Sequence, residues 1–412
     1  MYDAIVIGAR CAGSPMAMLL AQQGYKVLLV DRASFPSHLP HGHFIHRGGP
    51  LQLQKWGLLE QLATAGCPPV TRFKQDTGQS VIAGRDLVVN GVAFGYGPRR
   101  DVLDKILVDA AVAAGTELRE GFSIQEIIWE GDRVAGIRGR NNNGGGTVTE
   151  RAQIVIGADG RNSMVARAAQ APVYETVPTL LCWYFSYWSD APSDDLEFYV
   201  RERRIIIAHP TTDQLLAVFV AWPIAEFHQV RADVEASHSR ALDVTPELGE
   251  HVRNGKREER FLGSGDLPNF FRKPYGPGWA LVGDAGHHKD PYLALGVSDA
   301  FRDAKLLAEA IDDGFSGRQS LDEALAEYER QRNEMAMADY QLNLRMASFS
   351  PPPELIQISS ALQGNQEDTN RFFMAREGMI PREEFFNPEN RSASWRRPRP
   401  KNSEWDADEL LG

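Results

Sequence analysis

The sequence predicts an α/β protein: a Rossmann-like dinucleotide-binding domain with an antiparallel-sheet domain inserted into it. Three observations carry that expectation. The first 31 residues read as strand, glycine-rich turn, helix, strand and terminal acid, which is a βαβ unit. Residues 180–223 change character to alternating, aromatic-rich runs of the kind that form antiparallel sheets. The buried-strand pattern then returns at Ile154–Ile156 and again at Trp279–Val282, on either side of the inserted region.

Taken in order, Ala4–Ile7 (AIVI) is a β-branched run closed by Gly8, as in a strand buried on both faces. Met16–Gln23 has helical spacing, with Met16, Leu19 and Leu20 on one face, and Gly24 ends it. Lys26–Val30 (KVLLV) is the second buried strand and delivers Asp31. Asp101–Ala114 is amphipathic, with Leu103, Ile106, Leu107 and Ala110 together and Gly115 as its stop. Strands follow near 123–129, 133–139 and 147–150, the last two joined as a hairpin by the polar loop Asn141–Gly146. Four strands make the inserted sheet: Leu181–Tyr187, Leu196–Val200, Ile205–Ala208 and Leu215–Ala221. Helices near 297–313 and 321–346 close the fold, and Pro351-Pro352-Pro353 marks a break before a polar tail. The expected organisation is a discontinuous nucleotide-binding domain over 1–172 and 262–348, a substrate sheet over 173–261, and a tail over 349–412.

Composition narrows the function. With 412 residues, 43% hydrophobic and 24% charged, the chain is long enough for one large or two ordinary cores. A formal charge of -11 disfavours a nucleic-acid partner, which calls for a basic patch. Three cysteines, widely spaced, give neither a disulfide framework nor a metal spacing, and point to a reducing cytoplasm. No run approaches the roughly 18 apolar residues of a membrane span, and a strand beginning at once leaves no room for a signal peptide.

The chemistry begins at Gly8–Ser14 (GARCAGS). A pyrophosphate needs close backbone approach and free N–H groups at a positive helix terminus. Gly8 permits the tight turn and Gly13 the close helix–strand packing, while Arg10 stands at the middle position of GxGxxG. Its guanidinium is suited to pairing with phosphate. Asp31, 23 positions after Gly8, is placed to accept from ribose hydroxyls. Later in the chain a strand ends at Gly283-Asp284 and a helix starts near Gly296. The N–H groups of Leu295, Gly296 and Val297 there suit an anionic guest.

These motifs resemble the p-hydroxybenzoate hydroxylase group of FAD enzymes, which also takes in geranylgeranyl reductase-like proteins. The resemblance runs from about residue 1 to 345 and rests on three motifs in order. They are GARCAGS with Asp31; Gly157-Ala158-Asp159-Gly160-Arg161-Asn162-Ser163; and Gly283-Asp284-Ala285-Gly286-His287 with Pro291 and Gly296. It implies non-covalent FAD held by Gly8, Arg10, Cys11, Ala12, Gly13, Asp31, Arg32, Arg100, Asp159, Gly160, Gly283, Asp284, Pro291, Leu295, Gly296 and Val297. Asp284 would take the ribityl chain and Arg100 would lie near the phosphates. A second glycine is frequent in relatives where Ala294 stands here.

Histidines cluster at His38, His41, His43 and His46, where the family chain passes the isoalloxazine. No acid or cysteine accompanies them, so no metal is expected. His43, His287 and His288 are the candidates for proton transfer. Trp183, Phe185 and Tyr187 share one strand face by period-two alternation. In relatives a face of this sheet roofs the flavin, which implies an apolar, aromatic or polyketide-like substrate. The resemblance thus implies a monooxygenase using O2, with NAD(P)H binding transiently because no second βαβ fingerprint is present. The alternatives are an unsaturated-lipid reductase, a halogenase (although no WxWxIP run occurs) and a non-catalytic carrier.

Overall fold

The computed structural model describes residues 1–39, 41–142, 144 and 146–387. Its organising element is the strand Tyr2–Ile7, which runs parallel to Val27–Val30 on one side and to Val148–Gly157 on the other. The β-branched run that predicted this strand is buried on both faces, as a central parallel strand requires. Val27–Val30 extends to Glu117–Arg119, and Trp279–Leu281 pairs in parallel with the end of Val148–Gly157. The hairpin Phe122–Glu130 and Arg133–Asn141 joins the first half of Val148–Gly157 antiparallel. Pieces expected separately near 147–150 and 154–156 are therefore one strand. Part of the loop Asn141–Gly146, namely 143 and 145, lies outside the described residues.

Helices Gly13–Gln22, Arg100–Ala113 and Gly296–Phe315 pack on one face of this sheet around Met16, Leu103, Leu107 and Phe301. The parallel strands Tyr2–Ile7, Val148–Gly157 and Trp279–Leu281 end, and the first helix begins, at the edge where the three glycine motifs lie.

A second sheet of mainly antiparallel strands runs in the order 256–257, 181–189, 216–223, 204–210, 195–201, 72–76 and 81–84. The four inserted strands appear where the alternation placed them. Two further strands, Arg72–Asp76 and Val81–Gly84, come from the segment expected to belong wholly to the nucleotide-binding domain. One face buries Leu181, Trp183, Phe185 and Tyr187, and the other buries Cys182, Tyr184 and Trp188 beneath helices Val234–Ala241 and Pro246–Asn254.

The expected tail needs correction over 353–387. Helices Pro353–Leu362 and Gln366–Arg376 pack on the second sheet and bury Ile358, Leu362, Phe372, Phe373 and Phe385. Their polar composition belongs to the outer face, and a few large aromatic residues supply the inner one. The remainder of that tail, 388–412, lies outside the described residues.

Candidate FAD site

Glycines bring the three motifs into contact. Gly8 has φ +102, and a Cβ there would lie 2.4 Å from the Ala158 carbonyl oxygen. A Cβ on Gly13 would lie 1.7 Å from the Gly8 carbonyl oxygen, and one on Gly283 would lie 2.8 Å from Ala12 Cβ. Any side chain at these positions would force the motifs apart. The result is a cradle whose floor is backbone, with the first helix presenting its N-terminus.

Asp31 ends its strand and is buried. Its Oδ2 accepts from the Ala9 N–H at 2.7 Å and its Oδ1 from the Ala33 N–H at 2.8 Å, so it fastens the glycine turn to the second strand. Arg32 beside it is exposed. Arg10 Nη1 donates to Asp104 Oδ2 at 2.5 Å and Nη2 to Ser37 Oγ at 2.8 Å. Arg100 donates to both oxygens of the same Asp104, and Cys11 Sγ lies 3.5 Å from it. Asp104, fully buried, is thus a hub that sequence reading missed. Two guanidiniums against one carboxylate leave a net positive charge at the turn, suited to a pyrophosphate. Arg10 is held by Asp104 and Ser37, so its guanidinium is a fixed cation beside the turn. The buried Ser14 hydroxyl in the first helical turn has no partner among the described residues.

In the second motif, Asp159 Oδ2 accepts from the Met164 N–H at 2.6 Å, while its buried Oδ1 is unpartnered among the described residues. Burial raises the pKa of this carboxyl against its hydrogen bonds from Ser163 and Met164. Gly160 follows with φ +77. Arg272, another residue the sequence did not signal, donates from Nη1 to Ala285 O at 2.9 Å and from Nη2 to Arg161 O at 3.0 Å. It ties the second motif to the third.

The third motif turns at Gly283–Ala285, leaving Asp284 half-buried. Pro291–Leu293 forms a short turn, Ala294 adopts φ +51, and Leu295 caps the Gly296–Phe315 helix. Ala294 thus takes a left-handed conformation that glycine adopts more readily. The N–H groups of Gly296, Val297 and Ser298 open the helix without an intrahelical acceptor, and the first intrahelical bond runs from the Asp299 N–H to the Leu295 carbonyl. His41 is half-buried among these motifs. Burial first, then Arg100, Arg161 and His288, hold its pKa down to about 4, with Asp284 opposing.

The remaining histidines separate. His38 pairs at 3.5 Å with Asp101 and His46 at 2.6 Å with Glu377. His287 stacks on Phe271 with ring centroids 5.1 Å apart and lies 3.3 Å from Asp303, while burial depresses its pKa. His288 stacks on Phe270 and bonds the Pro268 carbonyl through Nδ1. His43, 1% exposed, sets Nε2 3.1 Å from Tyr187 Oη, and its Nδ1 has no partner among the described residues. Burial, then His209 and Arg100, hold His43 well below its ordinary pKa. Phe185 stacks on Phe219 at 4.6 Å, and Trp183 Nε1 donates to Asp290 Oδ1 at 3.2 Å. Trp183, Phe185, Tyr187, His43 and His209 therefore form one aromatic face, with His209 added by the structure.

A backbone cradle, two helix N-termini, a fixed cationic pair and unpartnered buried oxygens fit the pyrophosphate, ribityl and ring of FAD. They define an FAD-dependent oxidoreductase. The chain belongs to the FAD binding domain family, which matches residues 1–342. A tryptophan 2-halogenase of Chondromyces crocatus is 25% identical over 342 residues, 79% of this chain and 64% of that enzyme. An FAD-dependent monooxygenase of Nectria sp is 26% identical over 405 residues, 89% of this chain and 90% of that enzyme. Digeranylgeranylglycerophospholipid reductases are also relatives. The crystal structure of PqsL, a probable FAD-dependent monooxygenase from Pseudomonas aeruginosa, shares the fold. Its TM-score is 0.69 at 20% identity, over 90% of this chain and 98% of that one. Among the described residues no helix is long and apolar enough to cross a membrane.

Proposed function

We propose that the protein is a single-component monooxygenase that uses NAD(P)H and O2 to oxygenate an apolar, aromatic or polyketide-like small molecule. The observation that carries this reading is the aromatic face at Trp183, Phe185 and Tyr187, on which the buried His43 ring stacks against Tyr187. The likeness to the Nectria monooxygenase over nearly the whole chain supports it.

Bound FAD supplies the two-electron chemistry and the activation of oxygen. The chain's residues bind, orient and exclude water. Arg10 and Arg100 hold the pyrophosphate, Asp31 and Asp284 take ribose and ribityl hydroxyls, and the N–H groups at Leu295–Val297 face the negative edge of the ring. Phe185, Trp183 and Phe219 keep the substrate side dry. His43 is the candidate to take a proton from an acidic substrate hydroxyl, with Tyr187 Oη 3.1 Å from its Nε2 fixing the ring. His287 lies between Asp299 and Asp303 and His288 bonds the Pro268 carbonyl, while His43 alone of the three stands on the aromatic face, so His43 is assigned this role. Transient NAD(P)H is consistent with the single βαβ fingerprint. The three cysteines are buried and unpaired, which supports a reducing, cytoplasmic setting.

The likeness to a halogenase supports halogenation as the second reading. Substrate-stimulated oxygen uptake tests both. One O2 and one NAD(P)H consumed per product, unchanged by added chloride or bromide, is the expected result. Turnover that requires halide, or proceeds without oxygen, refutes the proposal.

A further inference from the structure

A guanidinium lies buried behind the third motif with only neutral acceptors around it. Arg332, on the helix Leu321–Ala347, is 0% exposed and is the largest fully buried side chain among the described residues. Its Nη1 donates to the Gly286 carbonyl at 3.5 Å, and its Nη2 to Tyr174 Oη at 2.8 Å and the Arg272 carbonyl at 3.1 Å. Nε and Nη2 also donate to Asn333 Oδ1, at 3.1 and 2.8 Å. The guanidinium sits 5.4 Å from the centre of the Phe271 ring, which itself stacks on His287. Burying a charge without a counter-charge is costly, so one kept in place calls for a compensating interaction.

The other cations around the motifs have acid partners. Arg10 and Arg100 share Asp104, while Lys289 and Arg302 are bridged to Asp299 and Asp303. Arg272 bonds only to the carbonyls of Ala285 and Arg161, but Asp159 acts on it as a counter-charge. Glu329, half-buried, meets Tyr174 Oη at 3.3 Å instead of the Arg332 guanidinium. The acceptors also show where the Arg332 charge is placed. Gly286 stands two residues after Asp284, and its carbonyl takes the Arg272 N–H at 2.8 Å as well. The carbonyls of Leu281, Ala285 and Gly286 are thus turned toward Tyr328, Arg272 and Arg332, behind the turn that carries Asp284. A fixed positive charge in such a dry surround favours negative charge on a group held by that turn.

We propose that Arg332 tunes the cofactor: its uncompensated charge stabilises the anionic reduced form of FAD over the neutral oxidised form. This rests on the third motif holding FAD. It goes beyond the proposed reaction by assigning one residue to the potential of the flavin. Hydride from NAD(P)H brings two electrons and one proton, leaving NAD(P)+ and a flavin ring with one negative charge. Arg332 acts on that charge from behind the Gly283–Ala285 turn, without touching the reacting atoms.

The test is the two-electron potential of FAD bound to the full chain, measured by equilibration with a dye of known potential. Arg332→Gln removes the charge and keeps N–H groups for the carbonyls. It should weaken reduced FAD about tenfold more than oxidised FAD, a drop of about 30 mV. Asn333→Asp keeps the shape of an acceptor already bonded to Arg332 and gives the guanidinium a counter-charge. It should fold like the wild type and lower the potential in the same direction. Arg330→Gln removes an exposed charge from the same helix and should leave the potential where it is. A purely structural Arg332 would weaken both redox forms equally. An unmoved potential in Asn333→Asp therefore overturns the proposal even if Arg332→Gln does not fold, and so does an equal drop in Arg330→Gln. A wild-type chain that binds no FAD overturns the reading of the third motif as well. FAD bound at a potential that none of these changes moves overturns this inference alone.

Discussion

Phe373→Ala should destabilise the protein as a core mutation does, although residue 373 stands in a stretch that reads as tail. Its side chain is fully buried, its ring centroid lies 4.7 Å from that of Phe73, and the Arg376 guanidinium sits 4.9 Å from its centre. Truncating a phenylalanine so enclosed costs about 3–5 kcal/mol. Gly84, across the contact, has no room for a methyl group, because a Cβ there would lie 2.6 Å from Phe373 Cδ2. Gly84→Ala should therefore cost about 1–3 kcal/mol by overpacking. In the double variant the new methyl occupies space the ring has left. The two effects should then fall short of their sum by roughly 0.5–3 kcal/mol. Urea unfolding of the four proteins, followed by circular dichroism, gives the complete cycle. A loss below about 1 kcal/mol for Phe373→Ala, or strict additivity, would refute the packing of this segment on the second sheet.

Two further outcomes are expected. Asp284→Ala should weaken FAD binding by about 1.5–3 kcal/mol, one charged hydrogen bond, with circular dichroism unchanged; an unaltered titration would count against the ribityl assignment. Asp290 should impose a pH dependence on stability, because burial, opposed by its bonds from Trp183 and Tyr292, pushes its carboxyl up to about 7. The folded state keeps this proton where the unfolded chain, with an ordinary aspartate pKa of about 3.9, has lost it. Stability should therefore fall as pH rises from about 4 to 7. Asp290→Asn should flatten that slope in urea melts, and an identical slope in both proteins would contradict the burial argument.

Much of this was legible in the sequence because it depends on local rules. Ala4–Ile7 and Lys26–Val30 announce themselves as β-branched runs, and Gly8 and Gly13 stand where only a missing side chain lets the motifs meet. The alternation at 181–187 correctly separated the face of Trp183 and Tyr187 from that of Cys182 and Tyr184. What was not legible depends on distant partners. Asp104 reads as a helix-face acid until Arg10, 94 positions away, is seen to pair with it. Arg10 looked like a phosphate ligand, but whether a guanidinium is free or occupied is not written beside it. Helices at 353–376 escaped notice because a few aromatic residues meet the second sheet from a polar background. His46 looked like one of four loop histidines, and its two ring partners come from residues 293 and 377.

The central claim is oxygen transfer by a flavoprotein, and labelled oxygen tests it most directly. FAD-loaded protein, NAD(P)H and a panel of aromatic and polyketide compounds would be incubated under oxygen-18 gas, with and without chloride and bromide, and products weighed by mass spectrometry. The account predicts a product that gains one labelled oxygen atom regardless of halide. A product that gains halogen, or two hydrogens and no label, would contradict it.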